Sequence, residues 1–180
     1  GGFMNQTVTD AAASPAAKPP LTPGKGLIAL LAIIVLVALY LWLAHSVGVA
    51  EVWPGMLFVL YWAALEHVQM DRLVPSAVGA LCGLALAFSL EPLPRLLGDM
   101  GWAVFLALVL IAVYCHVMKW LTTVVNLAFM LYLTVGTIPV VQQHADHKNA
   151  FGGLLFGIVF MVVLVVGGKW VAAKFAKRAA

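Results

Sequence analysis

Charge is the scarce ingredient of this chain. Asp, Glu, Lys and Arg make up 9% of its 180 residues, against about a quarter in a soluble domain. With 64% hydrophobic residues and a mean hydropathy of +1.05, the chain carries more apolar surface than one small core can bury. That excludes a soluble globule and makes lipid the expected solvent. Cysteine is nearly absent. Cys82 and Cys115 fall inside apolar runs without C-x-x-C spacing, which argues against a disulfide or zinc site and for small packing residues. Long polar stretches are missing beyond residue 25, where the longest connections are "EPLPRLLGDMG" and "QQHADHKN". They leave no room for a soluble catalytic or nucleic-acid-binding domain. H-E-x-x-H, G-x-S-x-G and paired carboxylates at mid-membrane are missing too, so no enzyme, catalytic residue, metal or cofactor is expected.

What is present is organised around apolar runs. Residues 1–25, "GGFMNQTVTDAAASPAAKPPLTPGK", are rich in Ala, Pro and Thr without periodicity, and read as a disordered tail. Gly1 to Phe3 resemble an expression remnant before a start at Met4. Six apolar segments follow at 26–47, 52–68, 73–90, 101–118, 120–141 and 150–172. About 20 helical residues cross the hydrocarbon core, with roughly 17–25 tolerated. The reading is an all-α polytopic membrane protein with six spans over 26–172 and a basic cytoplasmic tail over 173–180. The second segment opens with Trp53-Pro54-Gly55, which suits either a first helical turn or a re-entrant half-helix.

Charge sorting favours the full crossing. With six passes, one face holds Lys18, Lys25, Arg72, Lys119, Lys169, Lys174, Lys177 and Arg178, and the other only Arg95 and Lys148. By the positive-inside rule both termini are cytoplasmic. If the second segment failed to cross, the asymmetry would nearly vanish. Trp42, Trp53, Trp102, Trp120 and Trp170 fall near the ends of spans, where indole rings anchor at the headgroups. No repeat is evident along the chain, and an inverted three-plus-three arrangement stays open.

Small residues mark two segments. Gly79 and Gly83 form G-x-x-x-G, continued by Ala87 and flanked by Ser76 and Ala80; Gly153 and Gly157, then Gly167-Gly168, repeat the device in the sixth. Such stripes let backbones approach closely, within one chain or between subunits. Glu66 and His67 end the second segment about 20 Å from Val52 at 1.5 Å rise per residue, near the inner interface, where a charge can snorkel. With Asp71 and Arg72 they punctuate a turn. Together with His116 and Lys119 they could also line an inner mouth that titrates near neutral pH. On the opposite face His45, Glu51, Glu91, Asp99, His144, Asp146 and His147 make a mildly acidic vestibule; "HADHK" has ligand residue types but no defensible metal spacing. The fifth segment places the amide of Asn126 at mid-depth, among Thr122, Thr123, Thr134 and Thr137, with Gly136, Thr137 and Pro139 interrupting its outer end. An amide in lipid needs a partner helix or a wet cavity.

From "WPGMLFVLYWAA", "SAVGALCGLALAF" and the polar loop leading into "FGGLLFGIVF", the span from Leu27 to Val171 resembles the YcdZ-like family of small bacterial inner-membrane proteins of unknown function. Glu66-His67 departs from that family's small, glycine-containing turn, and the tail is longer. The resemblance implies a compact helical fold in the bacterial inner membrane and no assigned substrate. The expected function is a homo-oligomeric channel or permease for a small neutral or cationic solute. Its lining would come from Asn126, Thr137, Gly79 and Gly83, and its inner mouth from Glu66, His67 and His116. The alternative is a non-transporting scaffold or accessory subunit. Charge sorting predicts that an impermeant reagent labels the segment around Lys177 and Arg178 only from the cytoplasmic side; labelling from outside would abolish this map of faces.

Overall fold

A computed structural model describes the chain over residues 23–66, 69–144 and 146–179. His67 and most of the N-terminal tail lie outside the described residues. Eight helices are found there and no strand: α1 (Pro23–Val47), α2 (Trp53–Ala64), α3 (Met70–Phe88), α4 (Pro92–Leu97), α5 (Met100–Val117), α6 (Leu127–Gly136), α7 (Pro139–His144) and α8 (His147–Ala179). Four of them (α1, α3, α5 and α8) are long and apolar enough to cross a membrane, which together with the composition indicates a membrane protein. Their outward side chains agree: Trp42, Trp102 and Trp170 are exposed, as are most Leu and Val of α1 and α5, and Trp120 is exposed in the turn after α5, while Trp53 is half-buried. The stretch of α1 up to Leu36 forms a unit by itself, a largely exposed apolar helix; the packing below concerns Val37 onward.

Two of the six expected segments differ from expectation. The second yields only the 12 residues of α2 and the fifth only the 10 of α6, about 18 and 15 Å at 1.5 Å per residue. Helix α2 begins where Pro54 occupies its first turn, as its missing N–H permits. The fifth segment breaks twice. Residues 118–126 are turns, with Lys119 and Leu121 in the left-handed region at φ 55° and 51°, and α6 stops at Gly136 before α7 restarts at Pro139. Thr122 and Thr123 therefore lie in a turn rather than on a helix. Conversely, "EPLPRLLGDMG", expected as loop, holds α4, started by Pro92 and closed by Gly98 at φ 59°.

Glycine places the long helices against the short ones. The α3 stripe takes up α6: a Cβ on Gly79 would strike the Asn126 side chain, one on Gly83 the Phe129 carbonyl, and one on Gly136 the Ala87 methyl. The α8 stripe takes up α2 in the same way, since Gly153 lies under the Glu51 carbonyl and Gly157 against the Gly55 backbone. Both stripes thus pack within the chain. Gly167 and Gly168 do not share this role, because a Cβ on either meets nothing within 4 Å. Helix α5 closes over the α3–α6 pair through Phe105, Val109, Ala112 and Cys115, beside Cys82, Ala87, Phe129 and Leu133. Tyr40, buried on α1, meets the rings of Phe156 and Phe160 on α8 at 5.6 and 5.4 Å, a separation typical of tilted and edge-on aromatic pairs.

Adjacent glycines give a sharp test. Gly152→Ala adds a methyl to open space and should leave stability unchanged or raised by up to about 1 kcal/mol, as helix propensity requires. Gly153→Ala and Gly83→Val drive a methyl into a backbone carbonyl and should cost several times that, measured as loss of monodisperse protein on heating in detergent.

Candidate functional site

Polar side chains in the interior cluster where α6 meets its neighbours. Asn126 is not mid-helix; it is the extended residue that caps α6, its Oδ1 accepting from the Phe129 N–H at 3.1 Å. This is a standard solution for the unpaired donors of a helix start. Its Nδ2 donates to the Pro75 carbonyl of α3 at 2.7 Å and to the Thr123 carbonyl at 3.3 Å. The amide thus occupies the recess over Gly79, holding the start of α6 to α3. At the other end of the same pair Gln142 of α7 does the matching task, its Nε2 donating to the Ala87 carbonyl at 3.0 Å and to the Gly136 carbonyl. Those are C-terminal carbonyls of α3 and α6, where a helix end runs short of partners; the Ala87 carbonyl also accepts from the Leu90 N–H at 3.2 Å.

Between these two amides α2 and α6 meet in opposite directions. The Tyr132 hydroxyl, midway along α6, donates to the Pro54 carbonyl in the first turn of α2. The Tyr61 hydroxyl, late in α2, donates to Glu66 Oε1 at 2.9 Å and faces the Ser76 hydroxyl and the Ala128 backbone in the first turn of α6. Phe58, Val59 and Trp62 of α2 and Tyr132 of α6 are fully buried. Trp62 Nε1 donates to the Gln69 carbonyl at 3.2 Å, and Tyr40 Oη to the Val52 carbonyl at 2.9 Å. Each tyrosine or tryptophan polar tip thereby finds a backbone or carboxylate partner, as burial demands.

The remaining sequence candidates fall into three places. Gly79 and Gly83 face α6 and their recesses are filled by it. Thr137 caps the C-terminus of α6, its hydroxyl donating to the Thr134 carbonyl at 2.9 Å. Glu66 lies half-buried at the Tyr61 end, whereas His116, near the end of α5, is exposed and its side chain makes no hydrogen bond or ion pair among the described residues. The structure therefore brings Asn126 together with Gly79, and ties Glu66 to Tyr61 instead of to His116.

At the opposite end, Glu91 pairs with Arg95 and with His147 Nε2 at 3.6 Å, and the His147 ring stacks on Phe88 at 4.2 Å. Asp146 starts α8, its Oδ1 accepting from the Lys148 N–H at 3.0 Å and its Oδ2 from Asn149 at 3.1 Å, so "HADHK" contains a helix cap. An open cavity of about 380 Å³ lies nearby, lined by Val47, Gly48, Val49, Asn149, Gly153 and Phe156 among others.

Sequence reasoning missed Tyr40 and Gln142. A signal existed for each: a tyrosine amid a lipid-facing run must satisfy its hydroxyl, and a glutamine three residues past a helix-breaking Pro139 sits beside freed carbonyls.

Asn126→Ser keeps a capping oxygen but cannot reach Pro75, and Asn126→Ala loses both contacts. The expected order of stability is wild type, Ser, Ala, with about 1 kcal/mol for the cap and about 1 kcal/mol more for the half-buried bond to Pro75, read from unfolding in a denaturing detergent. Compared with known proteins, the chain matches no family model, no curated protein and no solved structure.

Proposed function

We propose that this protein is a multi-pass channel or permease of the bacterial inner membrane, carrying a small neutral or cationic solute. The observation that carries this reading is the pair of short helices, α2 and α6, which run antiparallel where Tyr132 reaches Pro54 and Tyr61 faces Ala128. Each is followed and preceded by irregular backbone, which membrane proteins tolerate only where it is buried in protein or lines a wet path. Short, interrupted apolar segments in corresponding positions are the commonest sequence pointer to a transport site.

In this reading the chain crosses six times, with α6 and α7 together forming one broken pass and both termini cytoplasmic, as the eight-to-two sorting of Lys and Arg favours. The Tyr61–Glu66 end is then the inner mouth and the Glu91–His147 end the outer. Asn126 holds the inner start of α6. The resemblance to the YcdZ-like family is consistent with this placement, and a homo-oligomer gives six short passes the walls a path needs.

A second reading, a non-transporting scaffold or accessory subunit, has its own support: among the described residues every buried side-chain polar atom has a partner within the chain. The two separate in proteoliposomes. The transport reading expects solute entry above empty vesicles, reduced at least tenfold by Asn126→Leu in protein that remains monodisperse. No flux over a broad panel, with a stoichiometric membrane partner on purification, would establish the scaffold instead.

A further inference from the structure

We infer that the chain is two copies of one three-helix unit laid in opposite directions, and that solute crosses where α2 meets α6, through a passage fitted to a small neutral molecule and not to an ion. The first part stands on the fold; the second rests on the transport reading.

The duplication shows in a constant offset of 74 residues. Gly79 and Gly83 recur as Gly153 and Gly157, Met56-Leu57 as Met130-Leu131, Tyr40 as Tyr114, and the first residue of α2, Trp53, corresponds to Leu127, the first of α6. Apolar sequences match by chance, so the decisive observation is that contacts repeat with the residues. Gly83 packs on Phe129; adding the offset to one and subtracting it from the other gives Gly157 and Gly55, which also pack. Gly79 packs on Asn126, and the counterpart Gly153 packs beside Val52, against Glu51 and Pro54. Each unit is a long helix, a short one and a long one: α1, α2, α3, then α5, α6, α8. Each short helix lies on the glycine helix of the other unit.

Direction follows from the hydrogen bonds. The middle of α6 (Tyr132) meets the start of α2 (Pro54), while the late part of α2 (Tyr61) meets the start of α6 (Ala128), so the two run oppositely. Equivalent helices running oppositely are related by a two-fold axis across their length, the relation of an inverted repeat, in which the substrate site lies at the repeat interface. Here that interface is α2 against α6, where the Tyr132 hydroxyl reaches the Pro54 carbonyl and Tyr61 faces Ala128; Phe58 and Tyr132 are equivalent positions and both fully buried. It offers aromatic rings, tyrosine hydroxyls and the Pro54 carbonyl. Ser76 is the one buried polar or charged side chain among the described residues. Glu66 lies only at the Tyr61 end. Beside Pro54 and Tyr132 no charged side chain is buried among the described residues, so an ion would face a steep cost there and a small neutral hydrogen-bonding solute would not.

Two measurements test this on the full chain. In a Cys82→Ala, Cys115→Ala background, cysteines replacing Gln69 and Gln143 (equivalent, exposed positions) react with an impermeant maleimide in oriented vesicles. Opposite faces are expected; labelling from the same face overturns the inverted duplication, whatever is transported. In proteoliposomes, urea and glycerol should enter at least tenfold faster than into empty vesicles, and potassium and methylammonium within twofold of them. Tyr132→Phe, or Phe58→Tyr should the first fail to stay monodisperse, should change urea or glycerol entry severalfold. Cation entry, or neutral entry indifferent to the variant that stays monodisperse, overturns the passage. No entry of any solute with opposite-face labelling removes the transport reading and leaves the duplication standing.

Discussion

Close backbone approach at glycine is the constraint on which this structure depends. In lipid, apolar side chains gain nothing by leaving solvent for a neighbouring helix, so association rests on packing and hydrogen bonds. At Gly83 against Phe129 and at Gly157 against Gly55, removing one side chain lets a neighbouring carbonyl rest on a helix surface. Once α6 is that close, Asn126 and Gln142 can reach carbonyls on α3; once α2 is that close, Tyr132 can span to Pro54. The polar clasps are consequences of the seams. A methyl in either seam would separate backbones and, with them, several hydrogen bonds that touch no glycine.

The polar interior follows an economy of partners. Carbonyls freed by helix ends at Ala87 and Gly136 are taken by one glutamine, and the start of α6 is capped by the same asparagine that binds Pro75. Helix breaks in a membrane protein are stable only when such partners exist. The break at 118–126 is made differently, with two non-glycine residues in the left-handed region, a conformation costing of order 1 kcal/mol per residue. Its counterpart after α1 uses Gly48, which adopts φ 79° freely.

How much of this was legible follows from what each signal measures. Hydropathy located the four helices long and apolar enough to cross a membrane and the two shorter apolar ones, because a helix facing an apolar solvent is apolar along its whole run. It overestimated α2 and α6, because the residues beyond their ends, such as Leu65 or Trp120, are equally apolar whether helical or not. Gly79 and Gly83 were recognisable as a packing stripe, while the partner was not, since spacing carries no information about which helix fills it. Asn126 stood out as an amide needing a partner; that it would be a cap required knowing that the helix starts there, and neither Pro nor charge marks the spot. The repeat escaped notice because Leu, Ile, Val and Ala interchange freely against lipid, leaving only two glycines and a few larger residues to carry it. His67 lies outside the described residues, so its part in the inner cluster stays an expectation.

The length of α8 has a mechanical meaning. Its 33 residues extend about 50 Å, well past a hydrocarbon core of about 30 Å. Near its far end, Lys174 sits 3.8 Å over the ring of Trp170, a pair that belongs at headgroup depth. With its foot pinned there, α8 can answer a thicker or thinner bilayer by leaning. Gly55 and Gly157 leave no slack between α8 and α2, so the short helix must lean as well. Acyl-chain length thereby becomes an input felt at the centre of the protein, delivered through a contact with no side chain in it.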